Sequence, residues 1–166
     1  MTELAEIVRE NVGKNSYQMR QFFQQMVKRG ELKAYTRKRA TLTLTEELRE
    51  NQPVFIKDPE TRIMYYLDIR SEGGMFYNDG NSQTMYHHCV LERLTKQLDP
   101  KKVATRFDGG TTVPKEMVAA RLRIDYDQDC KSGGEHDYVA ETRGNLVVEG
   151  KQDKLFKKVC KFVRER

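Results

Sequence analysis

An apolar stripe at helical spacing, closed by a glycine and followed by a basic turn, constrains the fold of this chain more than any other feature. Apolar residues from 19 to 27 recur at intervals that place them on one buried helix face: Met19, Phe22, Phe23, Met26 and Val27. Ser16 is a suitable N-cap for this helix, and Gly30 is a suitable stop. Residues 40–45 then alternate between Thr and an apolar residue, which predicts a strand.

The order of these elements resembles the DNA-contacting end of a winged-helix domain. The helix is followed by its glycine stop, a short strand at residues 31–32, a basic turn at residues 37–39 and a second strand. Apolar residues at positions 4, 7 and 8 predict a short first helix that opens at Thr2. The resemblance covers residues 2–45 and departs from the family in one respect, because two helices rather than three precede the wing.

The winged-helix resemblance implies that the second helix and the wing bind nucleic acid. Gln and Arg side chains can pair with adenine and guanine edges, and the cations of the turn would reach phosphates. Positive charge supports this, since residues 14–39 hold eight Lys and Arg residues against Glu31 alone. The residues expected to contact nucleic acid are Gln18, Arg20, Gln21, Gln24, Lys28, Arg29, Lys33, Arg37, Lys38 and Arg39.

A second basic cluster lies near the C-terminus. Leu155, Phe156, Val159, Cys160 and Val163 have the spacing of one helix face, and Lys or Arg residues fill most of the intervening positions. The sequence favours an ordinary solvated helix face here, with phosphate binding as the alternative. Between the two basic clusters lies an acidic patch that begins at Asp125, Asp127 and Asp129.

The remaining segments predict an α+β fold. Residues 54–56 and 63–69 form a hairpin across the turn at 58–61, a third strand follows at 75–77, and a helix runs from Ser82 to residue 98. A similar order returns with strands near 121–126, 138–140 and 146–148, a turn at 143–145 and the last helix. This predicts a βββα repeat that forms one antiparallel sheet with helices packed on one face.

The polar segment 46–53 ends in a proline and suggests a boundary between two units. Residues 1–50 would form the basic winged-helix-like unit. Residues 53–166 would form the α+β domain with the antiparallel sheet.

The end of the last predicted hairpin resembles the active site of PD-(D/E)xK nucleases. The apolar residues 146–148 lead into Glu149-Gly150-Lys151, and Asp137 lies upstream. The resemblance implies that Asp137 and Glu149 hold a divalent cation while Lys151 positions the attacking water. The chain departs from the family because no proline precedes Asp137 and no strand follows the last helix.

No other sequence pattern predicts a cofactor or a metal. The Asp125-x-Asp127-x-Asp129 run starts like a calcium loop but has Cys130 where that loop needs Gly and His136 where it needs Glu. The three cysteines include no CxxC pair, no apolar run is long enough to span a membrane, and the N-terminus lacks the plan of a secretory signal. We therefore expect an intracellular protein, cytoplasmic or nuclear, without a membrane partner.

Together these patterns predict a non-enzymatic protein that binds DNA or RNA in a regulatory or assembly role. Two alternatives stay open. One is a protein–protein interaction module, such as an adaptor or a viral inhibitor of a host factor, whose exposed apolar surface would carry activity. The other is the metal-dependent nuclease.

Overall fold

The chain folds as an α+β protein built on one large antiparallel sheet. The computed structural model describes residues 7–11, 13–39, 41–76, 82–97, 104–105, 111–133 and 136–165. The elements in chain order are β1 (Ile7–Asn11), α1 (Ser16–Lys28), β2 (Lys33–Lys38), β3 (Thr41–Thr45), β4 (Val54–Lys57), β5 (Met64–Phe76), β6 (Ser82–Leu94), β7 (Ala104–Thr105), β8 (Thr111–Thr112), a 3-10 helix (Lys115–Met117), β9 (Val118–Gly133), β10 (His136–Glu149) and α2 (Lys154–Arg164). In this part of the chain, eight strands form the sheet in the order β1-β10-β9-β6-β5-β4-β2-β3, and β7 pairs with β8 apart from it.

Alternation of apolar and polar residues along the strands gives the sheet one covered face. In β5 the residues at 65, 67 and 69 are buried toward the helices, and the register places them opposite the residues at 93, 91 and 89 of β6. We call the side that faces the helices the inner face. The opposite side is the outer face.

The main core lies between the inner face and the two helices. The side chains of Phe23 and Phe156 are fully buried, one from each helix, and belong to the same cluster as the inner residues of β5, β6, β9 and β10. Burying an aromatic side chain of this size contributes about 1.5–3 kcal/mol relative to leaving it exposed. Both helices therefore pack on one face of the sheet, as predicted for α2, whereas α1 was expected in a separate unit.

A smaller cluster forms on the outer face, where the segment before β9 crosses the sheet. Phe55 and Tyr66 pack together with ring centroids 5.6 Å apart, and Met117 of the 3-10 helix joins them. The half-buried Tyr35 and Leu42 bring β2 and β3 into the same cluster. These contacts identify Tyr35 and Leu42 as outer-face residues.

The predicted helix from Ser82 to residue 98 is wrong, because residues 82–94 form strand β6. Val90, Leu91 and Leu94 have helical spacing, but the side chains from 86 to 91 alternate between exposed or half-buried and fully buried positions. Leu91 and Leu94 are three residues apart, so ordinary strand alternation places Leu91 on the inner face and Leu94 in the outer cluster, and both are buried at an interval that also fits a helix. The first βββα unit of the predicted repeat is therefore not formed by the described residues.

Two other local predictions are also wrong. Residues 7–11, expected to continue a first helix, form strand β1 and pair with the end of β10. The turn predicted at residues 143–145 lies inside the continuous strand β10, where Gly144 stands opposite Tyr126 of β9. The start of the predicted first helix at Thr2 and the last residue of the predicted strand at 75–77 fall outside the described residues.

Residues 31–32 precede β2, which begins at Lys33 and includes two residues of the predicted basic turn, and residues 75–76 end the continuous strand β5 and do not form a separate third strand. Three other elements are confirmed. Helix α1 covers the predicted stripe, although Asn15 rather than Ser16 is its N-cap. Strands β4 and β5 form the predicted hairpin, and α2 covers the predicted C-terminal stripe. Strand β2 pairs with β4 across the segment 46–53, so strands from both sides of that segment lie in one sheet. No described helix combines the length and the apolar character needed to cross a membrane.

Candidate nucleic-acid interface

The two helices lie beside one another on the inner face of the sheet. The rings of Phe22 in α1 and Phe162 in α2 stack with centroids 4.3 Å apart and an interplanar angle of 15°. The ammonium of Lys14 lies 4.8 Å from the centroid of Phe162, and Lys158 Nζ lies 3.4 Å from the Glu31 carboxylate. These contacts bring the two basic segments of the sequence into one layer.

Helix α2 is held on the sheet by its apolar stripe and by its N-cap. The Asp153 side chain accepts a hydrogen bond from Phe156 N at 2.9 Å, and it also accepts one from the Tyr65 hydroxyl at 2.6 Å. Arg93 adds an ion pair to the same carboxylate at 3.3 Å. Because the apolar residues face the sheet, the cations point away from it, and five of them are exposed: Lys154, Lys157, Lys158, Lys161 and Arg164.

Helix α1 is anchored at its N-terminus by buried polar groups. The hydroxyl of Ser16 lies 2.7 Å from His87 Nδ1 on β6 and donates to Glu50 at 2.9 Å. The Ser71 hydroxyl donates to the other oxygen of Glu50 at 3.1 Å. Ser16 stands between His87 and Glu50 and is almost fully buried, so this network fixes the helix and does not have the order of a hydrolytic triad.

The structure places the predicted base-reading residues of α1 in different environments. Gln24 is buried, and its amide bonds to the backbone of Glu46 and Leu48. Gln18 closes the capping box with Asn15. Half-buried Arg20 lies 5.3 Å from the Tyr17 ring. Gln21 is half-buried, and Lys28 and Arg29 are exposed near the end of the helix.

The cations predicted for the wing lie in the β2–β3 hairpin. Lys33 is exposed at the start of β2, and Arg39 is exposed in the turn with φ 57°. Arg37 is half-buried and shares the outer face with Tyr35, two residues away. Lys38 is the last residue of β2, and the structure describes its backbone only. The hairpin therefore places Arg37 on the face opposite the helices.

The cations of α2 were not among the residues that the sequence predicted to contact nucleic acid. Their charge was visible in the sequence, but nothing in the sequence showed that α2 would lie against α1. The contact joins residues about 140 positions apart through the Phe22–Phe162 stack. The signal available in the sequence was Phe162, an aromatic residue that follows Lys161 and lies outside the predicted apolar stripe.

The structure does not bring the residues of the predicted nuclease site together. Asp137 and Glu149 belong to the same continuous strand β10 and are twelve residues apart. At about 3.3 Å per residue they are separated by about 40 Å along the strand, far more than one cation can bridge. Lys151 is exposed after the end of β10. Among the described residues, no group of three His, Cys, Asp or Glu side chains lies close enough to hold a metal ion.

Comparisons with protein-family models, with curated proteins and with solved structures find no match to this chain.

Proposed function

We propose that this protein binds nucleic acid without catalysing a reaction, through a basic surface that α1 and α2 form together. The observation that carries the proposal is the contact between the two helices. The surface, which we call the helix-layer surface, combines exposed cations from both segments: Lys28, Lys154, Lys157, Lys158 and Lys161.

Phosphate binding is the interaction that such a surface favours. Each neutralised phosphate releases condensed counterions, so clustered Lys and Arg bind a backbone whatever its base sequence. Among the described residues, acidic groups also lie near the surface. Glu31 is engaged by Arg29 and Lys158, Glu165 is exposed after α2, and Asp58 and Glu60 line a pocket together with Lys154 and Lys158. Positive charge therefore predominates on the layer.

We further propose that the β2–β3 hairpin acts as the wing of a winged-helix-like unit. Helix α1, the Gly30 stop and the hairpin follow one another in the order of the last parts of this unit, and strand β1 stands where its preceding helix was expected. Lys33 and Arg39, which are exposed, would make the hairpin's phosphate contacts, whereas buried Gln24 would serve the fold alone.

The test is fluorescence anisotropy with labelled duplex DNA, single-stranded DNA and RNA across a salt series. Three double variants remove the same net charge from different places. These are Lys157→Gln/Lys161→Gln on α2, Lys33→Gln/Arg39→Gln on the hairpin, and Lys96→Gln/Lys115→Gln at exposed positions that belong to neither element.

The α2 variant should weaken binding to every sequence and lower the slope of log affinity against log salt by about two. The hairpin variant should act in the same way if it forms a wing. The third variant should bind like the wild type. This result would show that the position of the removed charges, and not the loss of net charge alone, changes the affinity. Absence of binding at low salt would overturn the proposal and favour a protein-interaction module, and a probe shortened after Mg²⁺ is added would favour the nuclease.

A further inference from the structure

Strand β3 forms one edge of the large sheet, so one side of its backbone has no partner strand in the described fold. Its five residues, Thr41 to Thr45, have no charge and no proline, and β-branched Thr alternates with Leu. Natural edge strands are usually protected from pairing by charged residues, prolines or bulges. The opposite edge, β1, shows such protection in sequence with Arg9 and Glu10, and β3 does not.

The outward backbone groups of β3 belong to its two leucines. Lys38 and Thr41 flank a two-residue turn, and residues that flank such a turn form a hydrogen-bonded pair. The pairing alternates along the strand, so Thr43 and Thr45 also bond to β2. The N–H and C=O groups of Leu42 and Leu44 therefore point away from the sheet.

The side chains of these leucines lie on the outer face beside an apolar cluster. Leu44 stands opposite Tyr35, and Leu42 packs against the outer cluster. Leu44 is 57% exposed, one of the most exposed large apolar side chains in the described residues. A strand added to this edge would extend the outer cluster and cover Leu44.

The edge strand is complementary to itself. In an antiparallel pair centred on Thr43, Leu42 of one copy stands opposite Leu44 of the other, twice by symmetry. Continued past the ends of β3, the same register puts Arg39 at the level of Glu47 in the second copy, also twice, although Glu47 also pairs with Arg49 of its own chain at 3.3 Å. Apolar pairs at the centre and opposite charges at both ends favour a second copy of this chain over an unrelated strand.

We propose that the protein forms a two-fold symmetric dimer by antiparallel pairing of β3 with β3 of a second copy. The outward N–H and C=O groups of Leu42 and Leu44 exchange hydrogen bonds with the same groups of the other copy. The two sheets become one continuous sheet, with both helix layers on the same side.

Sedimentation velocity over a wide concentration range tests the proposal with full-length protein. The wild type should form a species of twice the 19.5 kDa chain mass. Leu44→Glu should remain monomeric, because it places an unpaired charge against Leu42 of the other copy. Tyr17→Glu is the matched control, because Tyr17 is also 57% exposed but lies on α1, and it should dimerise like the wild type.

A charge exchange tests the register. Arg39→Glu and Glu47→Arg should each raise the dimer dissociation constant by about five- to tenfold, because each creates two like-charge pairs. The double variant should restore the wild-type value. Hydrogen exchange adds a readout that needs no substitution, because the amides of Leu42 and Leu44 should gain protection as concentration rises.

Either of two results would overturn the proposal. One is a wild type that stays monomeric at every concentration. The other is a dimer that Leu44→Glu and the charge exchange leave unchanged.

Discussion

At the scale of single residues, the polar groups of this protein divide between those that hold the fold and those available to a ligand. Gln24 and Glu92 are buried and bonded, the latter to Arg121 at 2.7 Å. The lysines of α2 are exposed. A side chain that satisfies buried backbone groups cannot also reach a base edge, so burial decides which predicted contacts remain available.

Gln24 should contribute to stability and not to binding. Gln24→Leu leaves the buried Leu48 N–H without its acceptor, so the free energy of unfolding should fall by about 1–3 kcal/mol. Urea denaturation measures this, and Gln25→Leu at the adjacent exposed position should change stability by no more than about 0.5 kcal/mol. Reduced affinity of folded Gln24→Leu for nucleic acid would contradict this role.

Buried tyrosines should make the fold sensitive to alkaline pH. Burial, with a smaller effect of the hydrogen bond to Asp153, raises the pKa of Tyr65 well above its ordinary value of 10.0, and burial next to Asp68 does the same for Tyr66. The unfolded state then loses these protons first, so stability is complete below pH 10 and falls as the pH rises further.

Each tyrosine should contribute a slope of about 1.4 kcal/mol per pH unit above that point. Tyr65→Phe should remove one such contribution from denaturation curves recorded across alkaline pH. Tyr17→Phe, at an exposed site, is the control. An unchanged slope in Tyr65→Phe would contradict the assignment.

At the scale of elements, one carboxylate adds to the apolar packing that holds α2 on the sheet. Asp153 caps the helix, accepts from Tyr65 on β5 and pairs with Arg93 on β6. It therefore links the start of the helix to two central strands. Gly150 supports the same connection, because its φ is +90° and a Cβ there would lie 3.0 Å from Ala119 O and from Ala120 Cβ.

Asp153→Ala should lower the free energy of unfolding by about 2–4 kcal/mol, since it removes an N-cap and a charged partner of a buried hydroxyl. Asp153→Asn keeps an oxygen for the cap and should fall between this variant and the wild type. Thermal unfolding followed by circular dichroism measures both. Equal stability of all three proteins would show that the carboxylate does not hold α2.

Local sequence patterns correctly predicted the helices and strands whose ends are set by nearby residues. The apolar stripe and Gly30 specify α1, and the Asp58 turn specifies the β4–β5 hairpin, in which Arg62 N donates to Asp58 O at 2.8 Å. Strand β6 was mistaken for a helix because both of its faces are covered near its end, so that Leu91 and Leu94 are buried on opposite faces at an interval that also fits a helix. Long strands such as β10 depend on pairing with distant strands, which a local pattern does not contain.

In the candidate nucleic-acid interface, too, some features could be predicted from the local sequence and others could not. Basic charge on both helices could be predicted, and so could the buried faces that turn it toward solvent. That the two helices touch, and that Gln24 is used by the segment at 46–48, depends on tertiary contacts between distant residues.

At the scale of the whole molecule, one sheet carries two surfaces with different chemistry. The helix-layer surface is basic, and the β3 edge is apolar and self-complementary. In the proposed dimer both helix layers lie on the same side, so a long nucleic acid could contact both copies at once.

Leu44→Glu should therefore weaken binding to a long probe more than binding to a short one. Each subunit keeps its own surface, so affinity for a probe that reaches only one copy should not change, and anisotropy with probes of two lengths measures the difference. Equal loss with both probes would show that Leu44 affects the surface itself and not the dimer.

Lysine footprinting locates the surface on which the proposed nucleic acid binds. The protein is treated with an amine-reactive reagent, free and saturated with nucleic acid, and modification of each lysine is measured by mass spectrometry. We predict that Lys154, Lys157 and Lys161 become protected in the complex while Lys96 and Lys115 react as before. Unchanged reactivity of the α2 lysines in a saturated complex would contradict the helix-layer surface as the binding site.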